Sequence, residues 1–375
     1  MINSKSYTCA ELNITHESVT KFENIRFYSV RETDEFRVYG LFDYKNTERF
    51  VRMPEAVAET VSDGVKDLNY CTAGARVRFV TTSDYLAIRT KSLGFAAMQQ
   101  TNSIAAAGFD IYINNGIRDT YAFSFTPYNG LQNEDGMCAI RALPKGIKEI
   151  TVNLPLRQSL YELYIGLDET SELTARTDYK FEKPVLYYGS SITQGFCASR
   201  PGMAYESLIS RRLDTNFQNL GFAGKCHAEE AMADYLSTFD CSVFVYDYDH
   251  NSNPKMLAER HENLYLKFRS THPTTPVIIV GRPDFYSDFR LFRSDEERRE
   301  AVISTYHNAL ARGENVFYID GYALFSGEDR EDCTVDLVHP NDVGMVRMAD
   351  VIGKAVEKSL ADVAKNEVDS PFMHP

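Results

Sequence analysis

The sequence has no tryptophan, no apolar run long enough to span a bilayer, no excess of positive charge and no paired-cysteine motif. The missing run excludes a helical membrane span, which needs about 20 consecutive apolar residues. Acidic residues outnumber basic ones by 53 to 40, a formal charge of -13. A nucleic-acid backbone would be repelled by that field unless a basic patch outweighed it. The basic pairs Arg211-Arg212 and Arg298-Arg299 sit among carboxylates and read as solvated helix faces. The seven cysteines are odd in number and dispersed, with no C-x-x-C pair, which fits neither a disulfide framework nor a zinc site. They read as free thiols in a reducing compartment. The first residues, Met1 to Tyr7, lack the apolar stretch of a secretory signal. A cytoplasmic location is therefore expected, with no nucleic acid and no membrane as partner. The absence of tryptophan also argues against a dedicated sugar-stacking module, although 23 tyrosines and 23 phenylalanines remain for core and stacking.

What is present divides the chain in two. A length of 375 residues suits two domains. From about residue 20 to 167 the pattern is one of short alternating runs: 37–42, 75–80, 85–90, 109–113, 121–125, 150–154 and 162–165. In Arg76-Val77-Arg78-Phe79 apolar and charged residues alternate as a half-buried strand requires, and Asn114-Asn115-Gly116 and Tyr128-Asn129-Gly130 supply turn chemistry. These features predict an antiparallel, jelly-roll-like β-sandwich over 1–180. The polar segment 168–183 carries no period, and Pro184 closes it. Over 181–375 apolar strands at 185–188, 217–220, 243–246, 277–280 and 316–319 alternate with helical stretches, which predicts a parallel sheet covered by helices on both faces. The clearest helix is the last, with Ala349, Ile352, Val356, Leu360 and Val363 on one stripe. Asn341 or Asp342 can cap its start, and Pro340 holds His339 extended.

In such a sheet the loops leaving the strands' carboxyl ends gather at one edge, where ligands bind. Those loops carry Gly189-Ser190-Ser191, Gly221-Phe222-Ala223-Gly224, Asp247-Tyr248-Asp249-His250-Asn251 and Asp336-Leu337-Val338-His339. A serine hydroxyl needs a base to become a nucleophile, and imidazole is the side chain best poised for that near neutral pH. Ser191 and His339 are the candidates, with Asp336 as the carboxylate that orients the imidazole. Charge developing on a substrate carbonyl needs preset donors, for which Ser191 N–H, Gly224 N–H and a carboxamide are candidates. A helix starting just after Ser191 is expected to add a partial positive charge.

This ordered set resembles the SGNH or GDSL-type hydrolases over residues 184–361. The family's four marks fall on Ser191, Gly224, an asparagine after the third strand, and Asp336 with His339. Ser190 stands where the family has Asp, and Asp249-His250-Asn251 departs from the usual Gly-x-Asn-Asp. The asparagine is thus Asn251 or Asn253, with Asn251 nearer the strand. Gly108-Phe109-Asp110-Ile111-Tyr112 is similar to a Gly-x-Asp-Leu-Tyr stretch in the β-sandwich preceding one subgroup, and Cys197 to Met203 resembles the segment after that subgroup's nucleophile.

The resemblance implies a flavodoxin-like three-layer α/β/α hydrolase domain and a serine esterase acting on acetyl or other short acyl esters. A carbohydrate is the expected substrate, with no cofactor and no metal. An acyltransferase on the same residues is the first alternative, and a non-catalytic glycan-binding protein the second. Arg200, in the loop after the nucleophile, is either a substrate contact or an ordinary loop arginine. Asp247, Asp249, His250 and His227 complete no recognised metal geometry, and Cys197 and Cys226 read as packing. A homo-oligomer stays open.

Overall fold

A computed structural model describes residues 4–93, 100–127, 136–283 and 295–368. The chain forms two compact units. One comprises Met1–Met53, Asn69–Asp178 and Ser199–Gly202; the other comprises Pro54–Leu68, Tyr179–Ala198 and Met203–Pro375.

The first unit is built from two antiparallel sheets. Strands β1 (Ile25–Ser29), β2 (Arg37–Tyr39), β3 (Arg76–Thr81), β4 (Tyr85–Ser92), β5 (Phe109–Asn114), β6 (Asp119–Phe125), β7 (Cys138–Ala142), β8 (Lys148–Asn153), β9 (Leu160–Asp168) and β10 (Leu173–Thr174) pair in the orders β1-β9-β4-β7 and β10-β3-β8-β5-β6, with β2 on β3. Leu86, Ile88, Leu163 and Ile165 from one sheet share a buried core with Val77, Phe79, Ile111, Ile150 and Val152 from the other. Alternating sequence becomes a sandwich because each strand turns one row of side chains inward. The Asn114-Asn115-Gly116 turn joins β5 to β6, with Gly116 N–H donating to Asn114 Oδ1 at 2.7 Å. The turn expected at Tyr128-Asn129-Gly130 lies outside the described residues. Asp119 and Arg176 form a buried ion pair at 2.6 Å that Thr151 also joins.

The second unit carries five parallel strands, β11 (Phe181–Gly189), β12 (Thr215–Gly221), β13 (Val243–Asp247), β14 (Val277–Val280) and β15 (Val316–Ile319), in the order β12-β11-β13-β14-β15. Every residue of β13 and β14 is buried, as expected of continuous apolar runs covered on both faces. Helices Tyr205–Leu213 and Asp342–Val368 pack on each other, while Glu230–Thr238, Pro254–Thr271 and Asp295–Ala311 pack in series. The result is the expected three-layer α/β/α arrangement. Asn341 Oδ1 caps the last helix by accepting from Val343 N–H at 2.9 Å and Gly344 N–H at 3.2 Å.

Two expectations require correction. Residues 54–68 were expected in the first domain, but helix Glu55–Val61 and most of helix Asp63–Asn69 belong to the second unit, where the former packs on Glu230–Thr238. Val57, Val61, Val65 and Leu68 recur at three and four, the spacing that drives this packing. The other correction concerns the helix expected directly after Ser191. Residues 191–197 are hydrogen-bonded turns, and no α-helix begins until Tyr205. Gly195 at φ +92° and Cys197 at φ +70° occupy the left-handed region, which ends any helix, so its dipole is missing at Ser191.

Candidate active site

Ser191 leaves the end of β11 on a turn that neighbouring elements hold from beneath. Gly189 is obligatory there, because a Cβ would meet Thr193 Oγ1 at 2.0 Å and the Asp247 carbonyl oxygen at 2.1 Å. Ser190 N–H donates to the Asp247 carbonyl at 3.2 Å, and Thr193 Oγ1 donates to Asp247 Oδ2 at 3.0 Å. Asn219, on β12, donates through Nδ2 to the Thr193 carbonyl at 2.6 Å. These bonds fix the turn without a following helix.

The geometry brings Ser191 and His339 together across 148 positions of sequence, with Ser191 Oγ 3.0 Å from His339 Nε2. His339 Nδ1 lies 2.8 Å from Asp336 Oδ2. With Asp336 ionised, Nδ1 carries the proton and Nε2 accepts from the serine hydroxyl, the tautomer a general base requires. Asp336 Oδ1 also accepts the backbone N–H groups of His339 at 2.8 Å and Val338 at 3.1 Å. Partial burial opposes the carboxylate's charge. The His339 backbone N–H, its ring and the Val338 N–H outweigh that cost and hold the carboxyl below its ordinary range. Closing this loop over so few residues puts Leu337 in the left-handed region at φ +68°, which costs a non-glycine residue about 1–2 kcal/mol. Phe196 packs on the imidazole with ring centres 4.5 Å apart.

The three expected donors lie on loops tied to this turn. Gly224 adopts φ +70° in the turn 222–225, where Lys225 N–H donates to the Phe222 carbonyl at 3.0 Å. Ala223 N–H donates to Gln194 Oε1 at 3.0 Å, and Phe222 N–H to the Gly189 carbonyl at 2.9 Å. Asn251 Oδ1 accepts Cys226 N–H at 3.4 Å, which turns Nδ2 into the outward end of the amide. Asn253 is committed elsewhere, as the cap of helix Pro254–Thr271, accepting Met256 N–H at 2.9 Å. Among the described residues the N–H groups of Ser191 and Gly224 and Asn251 Nδ2 donate to no protein acceptor.

Comparison with known proteins finds similar domains. Residues 182–357 match the model of the GDSL-like Lipase/Acylhydrolase family. The second unit carries a GDSL-like lipase/acylhydrolase domain. Residues 25–173 match the GxDLY N-terminus of Esterase_SGNH_hydro-type. A structure assigned as a GDSL-like lipase from Bacteroides ovatus ATCC 8483 is 27% identical with a TM-score of 0.80, covering 90% of this chain and 98% of that one. A salicylyl-acyltransferase from a tetracycline biosynthetic pathway is 20% identical with a TM-score of 0.72, covering 91% and 98%. A family two carbohydrate esterase from Clostridium thermocellum, in complex with cellohexaose, is 14% identical with a TM-score of 0.57, covering 77% and 93%. These last two share the fold. No curated protein matches the sequence. The two family models and the similar structure together support an esterase.

Within the GxDLY-type unit, Asp110 is fully buried. It accepts from Asn153 Nδ2 at 2.9 Å and Gly202 N–H at 2.8 Å, and lies 3.4 Å from Arg200 Nε. Arg200 also reaches the Tyr112 hydroxyl at 3.4 Å and sits 4.1 Å over the Tyr121 ring. The segment 199–202 thus belongs to the first unit.

Sequence reasoning passed over Asp247 in the esterase domain, noting it only as a candidate metal ligand. Its carboxyl is wholly buried, and Oδ1 has no hydrogen-bond partner among the described residues. Burial first, and then the neighbouring charge of Asp249, pushes it up to about 7, against the Thr193 hydrogen bond. Glu206, on helix Tyr205–Leu213, is a second buried acid close enough to interact with it. A carboxyl raised on folding binds its proton more tightly in the native state, so its ionisation costs stability progressively as pH rises from the ordinary carboxylate range to about 7. Asp247→Asn mimics the protonated form. Its Tm advantage over the parent is expected to be small at pH 5 and larger at pH 8, as scanning calorimetry at the two values would read. A pH-independent difference would contradict the buried protonated acid.

Proposed function

We propose that the chain is a serine esterase that removes acetyl or other short acyl groups from a carbohydrate through an acyl-Ser191 intermediate. The observation that carries this reading is the relay Ser191 Oγ to His339 Nε2 at 3.0 Å and His339 Nδ1 to Asp336 Oδ2 at 2.8 Å. Ser191 Oγ attacks the ester carbon while His339 takes its proton. Ser191 N–H, Gly224 N–H and Asn251 Nδ2 receive the oxyanion, each worth roughly 3–4 kcal/mol in comparable sites. The tetrahedral adduct expels the alcohol, which takes the proton from His339. Water, deprotonated by the same imidazole, then releases the acid. The carbohydrate is supported by the shared fold with the carbohydrate esterase bound to cellohexaose. Seven free cysteines suit a reducing compartment, and on that ground the reading places the enzyme in the cytoplasm.

The test is a panel of acetylated mono- and oligosaccharides set against aryl acetates, read by acetate release. Turnover of several sugar acetates is expected. Hydrolysis of aryl acetates alone would remove the carbohydrate from the reading. The fold shared with a salicylyl-acyltransferase supports a second reading, in which an alcohol replaces water in the last step. Supplying acceptor alcohols and finding new esters at the expense of free acid would favour it.

A further inference from the structure

Four of the eleven exposed large apolar side chains among the described residues fall within nine positions, Val335, Leu337, Val338 and Val343, at 41–51% exposure. They flank the pair Asp336 and His339. Clustered exposed apolar groups mark a place where something apolar binds. Leu337 is unfavourable twice over: its side chain is exposed, and its backbone sits at φ +68°, where glycine would be free of strain. The loop is bent by Leu337 N–H donating to the Thr334 hydroxyl at 3.1 Å, Val338 N–H and His339 N–H donating to the Asp336 carboxylate, and Val335 N–H donating to the His339 carbonyl at 2.9 Å. These bonds use the main chain of residue 337 and place no demand on the kind of side chain it carries.

The chemistry indicates which part of a substrate this rim meets. His339 Nε2 takes the proton of Ser191 and must hand it to the departing alcohol oxygen, so the alcohol lies on the imidazole's side of the serine. Leu337 and Val338 immediately precede that imidazole in sequence. Phe196, packed on the ring at 4.5 Å, adds to its apolar surroundings. We infer that Leu337, with Val335 and Val338, forms a specificity rim for an apolar group on the alcohol side of the ester. The inference rests on the serine-esterase reading of Ser191 and His339. It extends the substrate class to esters whose alcohol carries an apolar portion beside the scissile oxygen.

The experiment compares kcat/KM for cyclohexylmethyl acetate and methyl acetate, two alkyl esters of the same acid, in the parent, Leu337→Gly and Leu337→Met. Leu337→Gly is expected to lower the cyclohexylmethyl-to-methyl ratio about tenfold, the discrimination a few methylenes of apolar contact supply. Its Tm should equal or exceed the parent's, since glycine relieves the backbone. Leu337→Met keeps an apolar side chain and should hold the parent ratio. An unchanged ratio in Leu337→Gly would overturn the inference. An equal fall in Leu337→Met would trace the effect to the backbone and overturn it as well. So would a change confined to the methyl butyrate to methyl acetate ratio, which would move the rim to the acyl side, or a change in molecular mass with the ratios intact, which would make the patch a contact between copies. A parent protein that hydrolyses no ester would instead remove the serine-esterase reading itself, a different failure.

Discussion

Ser191→Ala is expected to lower kcat by on the order of 10⁴ to 10⁶ and to abolish labelling by a fluorophosphonate probe, with little change in Tm. The size follows from the way a nucleophile and its base act as a unit: removing one member loses nearly all of what the group contributes, and leaves what binding and oxyanion stabilisation supply. The small effect on stability follows from the packing. Ser191 is 8% exposed, and its hydroxyl is hydrogen-bonded to His339 alone among the described residues. The turn is held by Ser190, Thr193 and Asn219. Ser190→Ala provides the contrast. Its hydroxyl accepts Ile192 N–H at 3.2 Å and makes no bond to His339, so activity should survive within about tenfold, the scale of losing one local hydrogen bond. Mass spectrometry of the labelled peptide separates the adjacent serines. Label on Ser190, or label that persists in Ser191→Ala, would assign the nucleophile elsewhere.

The second unit was the more legible half, and the reason is physical. Strands β14 and β15 occupy the positions expected from their apolar runs, Val277–Val280 and Val316–Ile319; β14, covered on both faces, leaves a continuous apolar word in the sequence, and edge strand β15 keeps a similar run although Phe317 and Tyr318 are half-buried. The candidate site was legible for a related reason. Ser191, Gly224 and Asn251 each stand just past a strand, so strand order alone brings them to one edge, whereas Asp336 and His339 come after β15, helix Gly321–Leu324 and the turn Arg330–Cys333. Strand β7, Cys138–Ala142, was not found: it is half exposed and includes an arginine, so it carries little alternation to read. Helices Glu55–Val61 and Asp63–Asn69 were hidden differently, inside a stretch whose surroundings read as strands. The long-range polar bonds left no trace. Thr193 and Asp247 are 54 positions apart, and nothing local marks either as a partner of the other. The helix expected after Ser191 failed because left-handed geometry at Cys197, a residue with no special tolerance for it, is not written in composition.

His339→Ala and Asp336→Asn are expected to separate the two roles behind the serine. Removing the imidazole removes the base placed against Ser191 Oγ, so turnover should fall by at least about 10⁴, comparable to loss of the nucleophile. Asp336→Asn keeps the loop's shape, because an amide oxygen can still accept the N–H groups of His339 and Val338. The amide nitrogen then faces Nδ1 and favours the tautomer with the proton on Nε2, which cannot accept from the hydroxyl. A loss of about 10³ to 10⁴ in kcat with KM nearly unchanged is the expected reading. The stability arm carries a sign. Asp336 is depressed below its ordinary range in the folded state, so the stability it contributes is present above the ordinary carboxylate value and disappears as pH falls through the folded value. The Tm gap between parent and Asp336→Asn should therefore be full near neutral pH and close in acid below about pH 4, the ordinary range of the group. Equal and small losses in His339→Ala and Asp336→Asn would contradict both assignments. So would a Tm gap that widens as the acid is added, since a carboxylate stabilised by donor N–H groups cannot gain from protonation.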